Sequence, residues 1–237
     1  MLTVEGLRSR YGRIEVLHGI DLTVGSGEIV TVVGANGAGK TTLLRCLSGV
    51  QPVSAGQITF RGEVLSKVPA YRRIQRGLAQ SPEGRQIFTN LTVEENLRLG
   101  AYIYDDERVA RDMEDAFVMF PILREKRNLA AGGLSGGQQQ MLALGKAIML
   151  EPELLLIDEL SLGLAPIIVQ RLLAIVEELK AQGTTMVLVE QSVNVALSVA
   201  DRAVFMERGQ VRFEGPAQEL LERDDLLRAV FLSGEGA

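Results

Sequence analysis

From Leu2 to Val33, apolar and polar residues alternate, interrupted by turn glycines at Gly12, Gly19 and Gly25–Gly27. A period of two marks half-buried strands. The stretch therefore predicts strands of a mostly antiparallel layer, which Gln57-Ile58-Thr59-Phe60 joins. Within it, Glu28-Ile29-Val30-Thr31-Val32-Val33 is a short β-branched run that reads as a buried strand. Leu154-Leu155-Leu156-Ile157 is a second apolar run, of the kind parallel sheets bury on both faces, and Thr185–Glu190 is a third strand. Between them the period changes to that of helices. Thr42–Leu47 reads as a helix, and Asp105–Phe120 as an amphipathic one. Met141, Leu142, Leu144, Gly145, Ile148 and Met149 recur at helical spacing. A long helix over 166–182 opens with Pro166 at the first turn, where proline is tolerated, and ends at Gly183. Val204–Glu214 reads as a hairpin around Arg208-Gly209, and the leucine-spaced tail 217–232 as two short helices.

These elements predict one α/β domain over 1–237: a mainly parallel core sheet, an N-terminal antiparallel β layer, and a helical lobe inserted at about 84–150. Thr92 and Glu95 make a capping-box pattern at the start of that lobe. The charge run Asp105-Asp106-Glu107-Arg108 is a solvated helix surface, and Gly132-Gly133 closes the lobe.

Candidate chemistry lies at the strand ends. Gly34-Ala35-Asn36-Gly37-Ala38-Gly39-Lys40-Thr41 fits the phosphate-binding loop pattern, with a strand before it and a helix after it. Such a loop converges backbone N–H groups on phosphate oxygens, and the helix start adds partial positive charge. Lys40 is placed to reach the β- and γ-phosphates, and the Thr41 hydroxyl to ligate Mg²⁺. Leu154–Ile157 ends in Asp158-Glu159. Asp158 is placed to hold the same Mg²⁺, and Glu159 to act as general base on the attacking water. Downstream of the loop, Leu134-Ser135-Gly136-Gly137-Gln138 combines a capping box with two glycines at a helix start. A plain cap explains Ser135 and Gln138. It leaves unexplained two glycines that cost a helix about 1 kcal/mol each, and a bare positive helix end is an anion site.

Composition narrows the class. The chain has 237 residues, 46% of them hydrophobic, and a net charge of −5, which offers no general nucleic-acid surface. Its one cysteine, Cys46, excludes an internal disulfide, fits a reducing compartment and sits on the apolar side of its helix. The start Met1-Leu2-Thr3-Val4-Glu5 lacks the basic and apolar pattern of a signal peptide. No apolar run approaches the roughly 18 residues needed to cross a bilayer. Neither repeats nor low-complexity segments occur.

On Gly34–Thr42, Leu134–Gln138 and Leu154–Glu159, in that order, the chain resembles the ATP-binding-cassette ATPases over essentially its whole length. The resemblance implies two cassettes that sandwich two ATP molecules head to tail, with ATP and Mg²⁺ as cofactors. Asn36, Gly37, Gly39, Lys40, Thr41 and Thr42 would hold the nucleotide, while Ser135, Gly137 and Gln138 would face the γ-phosphate bound by a partner. Tyr11 matches the aromatic that stacks on adenine, and Val16 a neighbouring contact. The segment from Glu83 to Leu97, with Phe88, Leu91 and Val93, corresponds to the groove for a coupling helix of a membrane subunit.

Three positions depart from the general pattern. Gln191 stands where the family usually has histidine, and the only histidine, His18, lies before the phosphate loop. Glu83 replaces the usual glutamine, facing either the metal or Arg85, and Ala165 replaces a usual aspartate. A neutral Gln191 offers a weaker hydrogen bond than a cationic histidine, so this subunit's own ATP site is expected to be tuned differently from its partner's. With Pro82-Glu83-Gly84-Arg85, Thr92–Leu97 and Val189-Glu190-Gln191, the departures resemble one subgroup, the second ATPase subunit of bacterial branched-chain amino-acid importers. Leu160, where that subgroup usually has proline, is a further departure. The implied partners are a second cassette, identical or the first ATPase subunit of such importers, and two integral membrane permeases. An external binding protein would take part indirectly, and no nucleic acid is implied. The implied location is the cytoplasmic face of the bacterial inner membrane. The competing readings are an importer for urea, amides or other amino acids, and a soluble cassette ATPase of DNA repair or translation. The coiled coils, zinc-binding cysteine pairs or tandem cassettes of the latter are absent, as is any guanine-specificity motif of a GTPase.

Overall fold

The computed structural model describes residues 1–222. The first half runs β1 (Leu2–Tyr11), β2 (Ile14–Val24), β3 (Ile29–Val33), α1 (Lys40–Ser48), β4 (Ala55–Phe60), β5 (Glu63–Val64), α2 (Ala70–Ile74) and β6 (Leu78–Ser81). A helical stretch follows: α3 (Val93–Gly100), α4 (Asp106–Met119), α5 (Pro121–Glu125) and α6 (Gly136–Ile148). The chain then closes through β7 (Leu154–Asp158), α7 (Pro166–Ala181), β8 (Thr185–Val189), α8 (Val193–Val199), β9 (Arg202–Glu207), β10 (Gln210–Pro216) and α9 (Ala217–Leu221).

Two sheets result. One has four strands in the order β2-β1-β4-β5, all pairs antiparallel. The other has six, in the order β10-β9-β3-β8-β7-β6, parallel throughout except for the β9–β10 hairpin. The N-terminal alternation thus yields the antiparallel layer only as far as Val24. Ile29–Val33, grouped with that layer by its sequence position, belongs to the parallel sheet instead. The reason is that all five of its residues are buried, so it suits only a strand covered on both faces.

Alternation persists inside the buried strands. Leu154, Leu156, Val187, Val189, Val30 and Val32 pack with α1 and the antiparallel layer in one core. Leu155, Ile157, Met186, Leu188 and Ile29 point the other way, into a core shared with the helices between β6 and β7. The period of two therefore decides which neighbour each apolar residue meets.

Helix starts follow their caps. Thr92 accepts from the Glu95 N–H at 3.1 Å and the Glu95 carboxylate accepts from the Thr92 N–H at 2.7 Å, so the capping box of α3 is complete. Asp105 caps α4 through the Arg108 N–H. Ala165 sits at the N-cap of α7 and supplies no side-chain acceptor, while Pro166 follows at the first helical position and removes one unpaired donor. The β9–β10 turn forms at Arg208-Gly209, both at positive φ. Of the two expected tail helices, α9 is the first, and the second lies outside the described residues. Cys46 is fully buried.

Candidate functional site

In a parallel sheet all C-terminal strand ends lie on one edge, which is where such folds bind ligands. Here β3 ends in the phosphate loop, β8 in Glu190-Gln191, β7 in Asp158-Glu159 and β6 in the segment carrying Glu83. Strand order places β8 between β3 and β7, with Val189 paired to both Val32 and Asp158. Sequence-distant groups therefore converge. The Thr41 hydroxyl, in the first turn of α1, donates to Asp158 Oδ1 at 3.3 Å across 117 residues. Lys40 Nζ lies back over the loop, donating to the carbonyls of Gly34 at 2.7 Å and Ala35 at 3.1 Å. Gly34 cannot be replaced cheaply, since a Cβ there would run into the Met206 carbonyl oxygen. A cavity of about 340 Å³ is lined by Val16, Asn36, Gly37, Gly39, Lys40, Thr41, Thr42, Glu83, Glu159 and Gln191.

Glu159 is held unusually. Its φ is +55, a left-handed conformation that L-residues avoid. Its N–H donates to the Val189 carbonyl at 2.9 Å, and the Gln191 side-chain amide donates to its Oε1 at 2.5 Å. Its Oε2 is buried without a hydrogen-bond partner. Gln191 thus meets the adjacent carboxylate. Glu83 lines the cavity and forms no ion pair with Arg85, which instead donates to Gln139 Oε1 at 3.0 Å.

Burial, with help from Glu83 and Glu159, pushes the Asp158 carboxyl up to about 6. Burial lowers the Lys40 pKa, although Glu159, Asp158, Glu83 and Glu190 all pull it back up. The edge thus concentrates acidic groups that a cation would relieve. Among the described residues no three His, Cys, Asp or Glu side chains form a ready-made metal cage. That pattern fits Mg²⁺, which is typically held by one or two protein oxygens together with substrate phosphates and water. Thr41 Oγ1 and Asp158 Oδ1 are such a pair of hard oxygen donors.

The serine-capped helix start lies elsewhere. Ser135 is exposed and accepts from the Gln138 N–H, while Gln138 Oε1 accepts from the Ser135 N–H at 3.1 Å and from Lys126 Nζ at 3.2 Å. Neither Ser135, Gly137 nor Gln138 lines the cavity at the chain's own phosphate loop. Gly137 is also required by packing, because a Cβ would sit 2.7 Å from Ile168 of α7. Gly137 therefore has a packing reason within the chain itself. Tyr11, at the end of β1, is 43% exposed and lies outside the cavity lining.

Comparison with known proteins decides the family. The profile of the ABC transporter family matches residues 17–161. This chain belongs to the ABC transporter family. It is an ABC ATPase, and the cassette has full-length relatives. It is 44% identical over 234 residues, 99% of its length and 100% of the relative's, to the high-affinity branched-chain amino acid transport ATP-binding protein BraG of Pseudomonas aeruginosa. It is 38% identical, over 94% of its length and 95% of the relative's, to the probable branched-chain amino acid transport ATP-binding protein LivF of Archaeoglobus fulgidus. The ADP conformation of an ATP-binding cassette of an ABC transporter superposes with a TM-score of 0.86 at 25% identity, covering 98% of both chains.

Sequence reasoning missed several residues around the cavity. Glu190, 1% exposed, accepts from the Ser161 N–H at 2.9 Å and the Ser161 hydroxyl at 2.8 Å. A carboxylate directly after the apolar run Met186–Val189 was the available signal. A second cavity of about 260 Å³ reaches Glu159 from the side of Gly84–Ile87, Gln139 and Gln140. Along its wall Gly84, Arg85 and Gln86 are three consecutive residues at positive φ. Of the three residues assigned to a membrane-subunit groove, only Phe88 lines a further cavity of about 370 Å³, together with Val50, Ile74, Pro82 and Lys146. Val93 is fully buried in the helical core. No helix among the described residues is long and apolar enough to cross a membrane.

Proposed function

We propose that this cassette is an ATP-hydrolysing subunit of a bacterial importer for branched-chain amino acids and works as half of a two-cassette ATP sandwich. The observation that carries the sandwich is a separation. Lys40, Thr41 and Glu159 line one cavity, whereas the serine-capped start of α6 is exposed away from it. A site so divided is completed by a second copy or a paralogous cassette. The cargo assignment is supported by end-to-end similarity to the two relatives named for branched-chain amino-acid transport.

In this reading Lys40 and the backbone of Asn36, Gly37 and Gly39 bind the phosphates of ATP, with Val16 and Tyr11 toward the base. Thr41 and Asp158 hold Mg²⁺, with Glu83 nearby. Bound Mg²⁺ supplies charge neutralisation for the phosphate oxygens. Glu159 accepts the proton of the attacking water, and Gln191 orients Glu159 through its amide. Ser135 and Gly137 face the partner's γ-phosphate, while the partner's equivalents face this one. Two membrane permeases dock over the Phe88–Lys146 cavity at the cytoplasmic face, and an external binding protein delivers cargo to them.

Replacement Glu159→Gln tests the arrangement. The variant is expected to bind ATP, lose hydrolysis by at least about 10²-fold, and elute as a stable dimer on gel filtration with Mg²⁺ and ATP. Wild-type turnover would remove the base assignment. A tightly ATP-loaded monomer would remove the sandwich. Uptake of radiolabelled leucine by vesicles holding the cassette with its membrane subunits tests the cargo.

A further inference from the structure

We infer that Glu190 is a positioning residue for hydrolysis: by gripping Ser161 it fixes the backbone on which Glu159 is presented, a role that rests on Glu159 being the base. The geometry behind this lies in three consecutive residues at the tip of β8. The Val189 carbonyl accepts the Glu159 N–H at 2.9 Å. Glu190 takes both donors of Ser161, N–H at 2.9 Å and hydroxyl at 2.8 Å. Gln191 donates to the Glu159 carboxylate at 2.5 Å. Four hydrogen bonds thus join residues 189–191 to residues 159–161.

The segment they hold needs holding. Glu159 at φ +55 is in a region that non-glycine residues avoid and that persists only when its surroundings impose it. Released, the backbone would relax and swing the carboxylate away from the cavity. The two Ser161 bonds act from the far side of Glu159, so the strained residue is anchored both at and after its own position.

Plain stability is a poor explanation for a carboxylate here. Glu190 is buried, and no Lys or Arg forms an ion pair with it among the described residues. Burying an unpaired charge is costly, and an apolar residue would close a β8 end at less expense. What the carboxylate supplies is two acceptor atoms in a fixed fork, matched to a backbone N–H and a hydroxyl on one residue. Glu190 does not line the nucleotide cavity, and its pull on Lys40 is the smallest of four carboxylates', so its main effect passes through Glu159.

The test is ATP turnover and nucleotide affinity of the full chain with its partner cassette. Glu190→Ala should lower kcat by roughly 30- to 100-fold, the scale of a misplaced catalytic group. KM and the ATP affinity measured in EDTA should stay within about twofold, because the phosphate loop is untouched. Ser161→Ala, which keeps the amide bond, should cost about 3- to 10-fold, and Glu190→Gln, which keeps one acceptor oxygen, should fall between. The double variant should be no slower than Glu190→Ala alone, since both remove the same link. An unchanged kcat in folded Glu190→Ala, a KM that rises as kcat falls, or multiplying effects in the double variant would overturn the inference. If Glu190→Ala does not fold, Ser161→Ala decides, and an unchanged kcat there overturns it equally. Glu159→Gln run alongside separates the two claims. If it is inactive while Glu190→Ala is fully active, only this inference fails; if it turns over normally, both fail.

Discussion

At the scale of single residues, the site edge is governed by carboxylates that burial makes uncomfortable. Asp158 has its pKa raised from 3.8 to about 6, with burial the leading cause. Burial likewise raises Glu190, against the lowering effect of Ser161's two bonds. The sign follows from proton counting. Between pH 4 and 6 the folded chain holds more protons at Asp158 than the unfolded chain, so stability falls as pH rises through that window. The Tm of the protein without nucleotide or Mg²⁺ should therefore decline from pH 4.5 to pH 6.5, and Asp158→Asn should flatten part of that slope. Calorimetry showing equal slopes in both proteins would mean that Asp158 is not the group responsible. Added Mg²⁺ and ATP should oppose the decline, because a cation favours the ionised carboxylate.

At the scale of elements, the helix that follows the glycine-rich loop depends on a group outside the cavity. Arg73, 2% exposed and in the last turn of α2, donates to the carbonyls of Cys46 at 2.8 Å and Leu47 at 2.7 Å in the last turn of α1, and to those of Val68 and Leu65. A guanidinium at a helix C-terminus complements both the unpaired carbonyls and the dipole. Arg73→Met would leave the Leu47 and Val68 carbonyls without a donor, while those of Cys46 and Leu65 keep the Gly49 and Val68 N–H groups, for a loss of about 3 kcal/mol. Arg73→Lys should recover only part of it, lacking the planar fork. Urea unfolding measures both; equal stability of wild type and Arg73→Met would show that water reaches those carbonyls.

Elements are also where the chain was most and least readable. Thr92, Asp105, Ser135 and Pro166 mark helix starts because capping is a local interaction, written within four residues. The phosphate loop and Asp158-Glu159 were visible for the same reason. Ile29–Val33 was harder, since which sheet a buried strand joins depends on partners more than 150 residues away, such as Met186 and Arg202. Val93 looked like a groove residue because nothing local shows that α6 and α4 cover it. Glu190 escaped because its partner, Ser161, is 29 residues away and reaches it only through strand pairing.

At the scale of the whole molecule, each nucleotide site is split between two chains under the proposed reading. Specific activity should then climb with protein concentration until dimers saturate, a steeper-than-linear rate at low concentration. A rate strictly proportional to concentration down to nanomolar protein would point to a self-sufficient monomer. The helices between β6 and β7 belong to the same argument. They carry the serine-capped start of α6, yet they do not own a separate interior: Val93, Leu97, Phe117, Phe120 and Leu142 share one core with Ile29, Ala79, Leu155, Ile157 and Leu188 of the sheet. Grafting this block from a relative is consequently a problem of matching surfaces across the seam, and no choice of linker at its two junctions would rescue a poor fit.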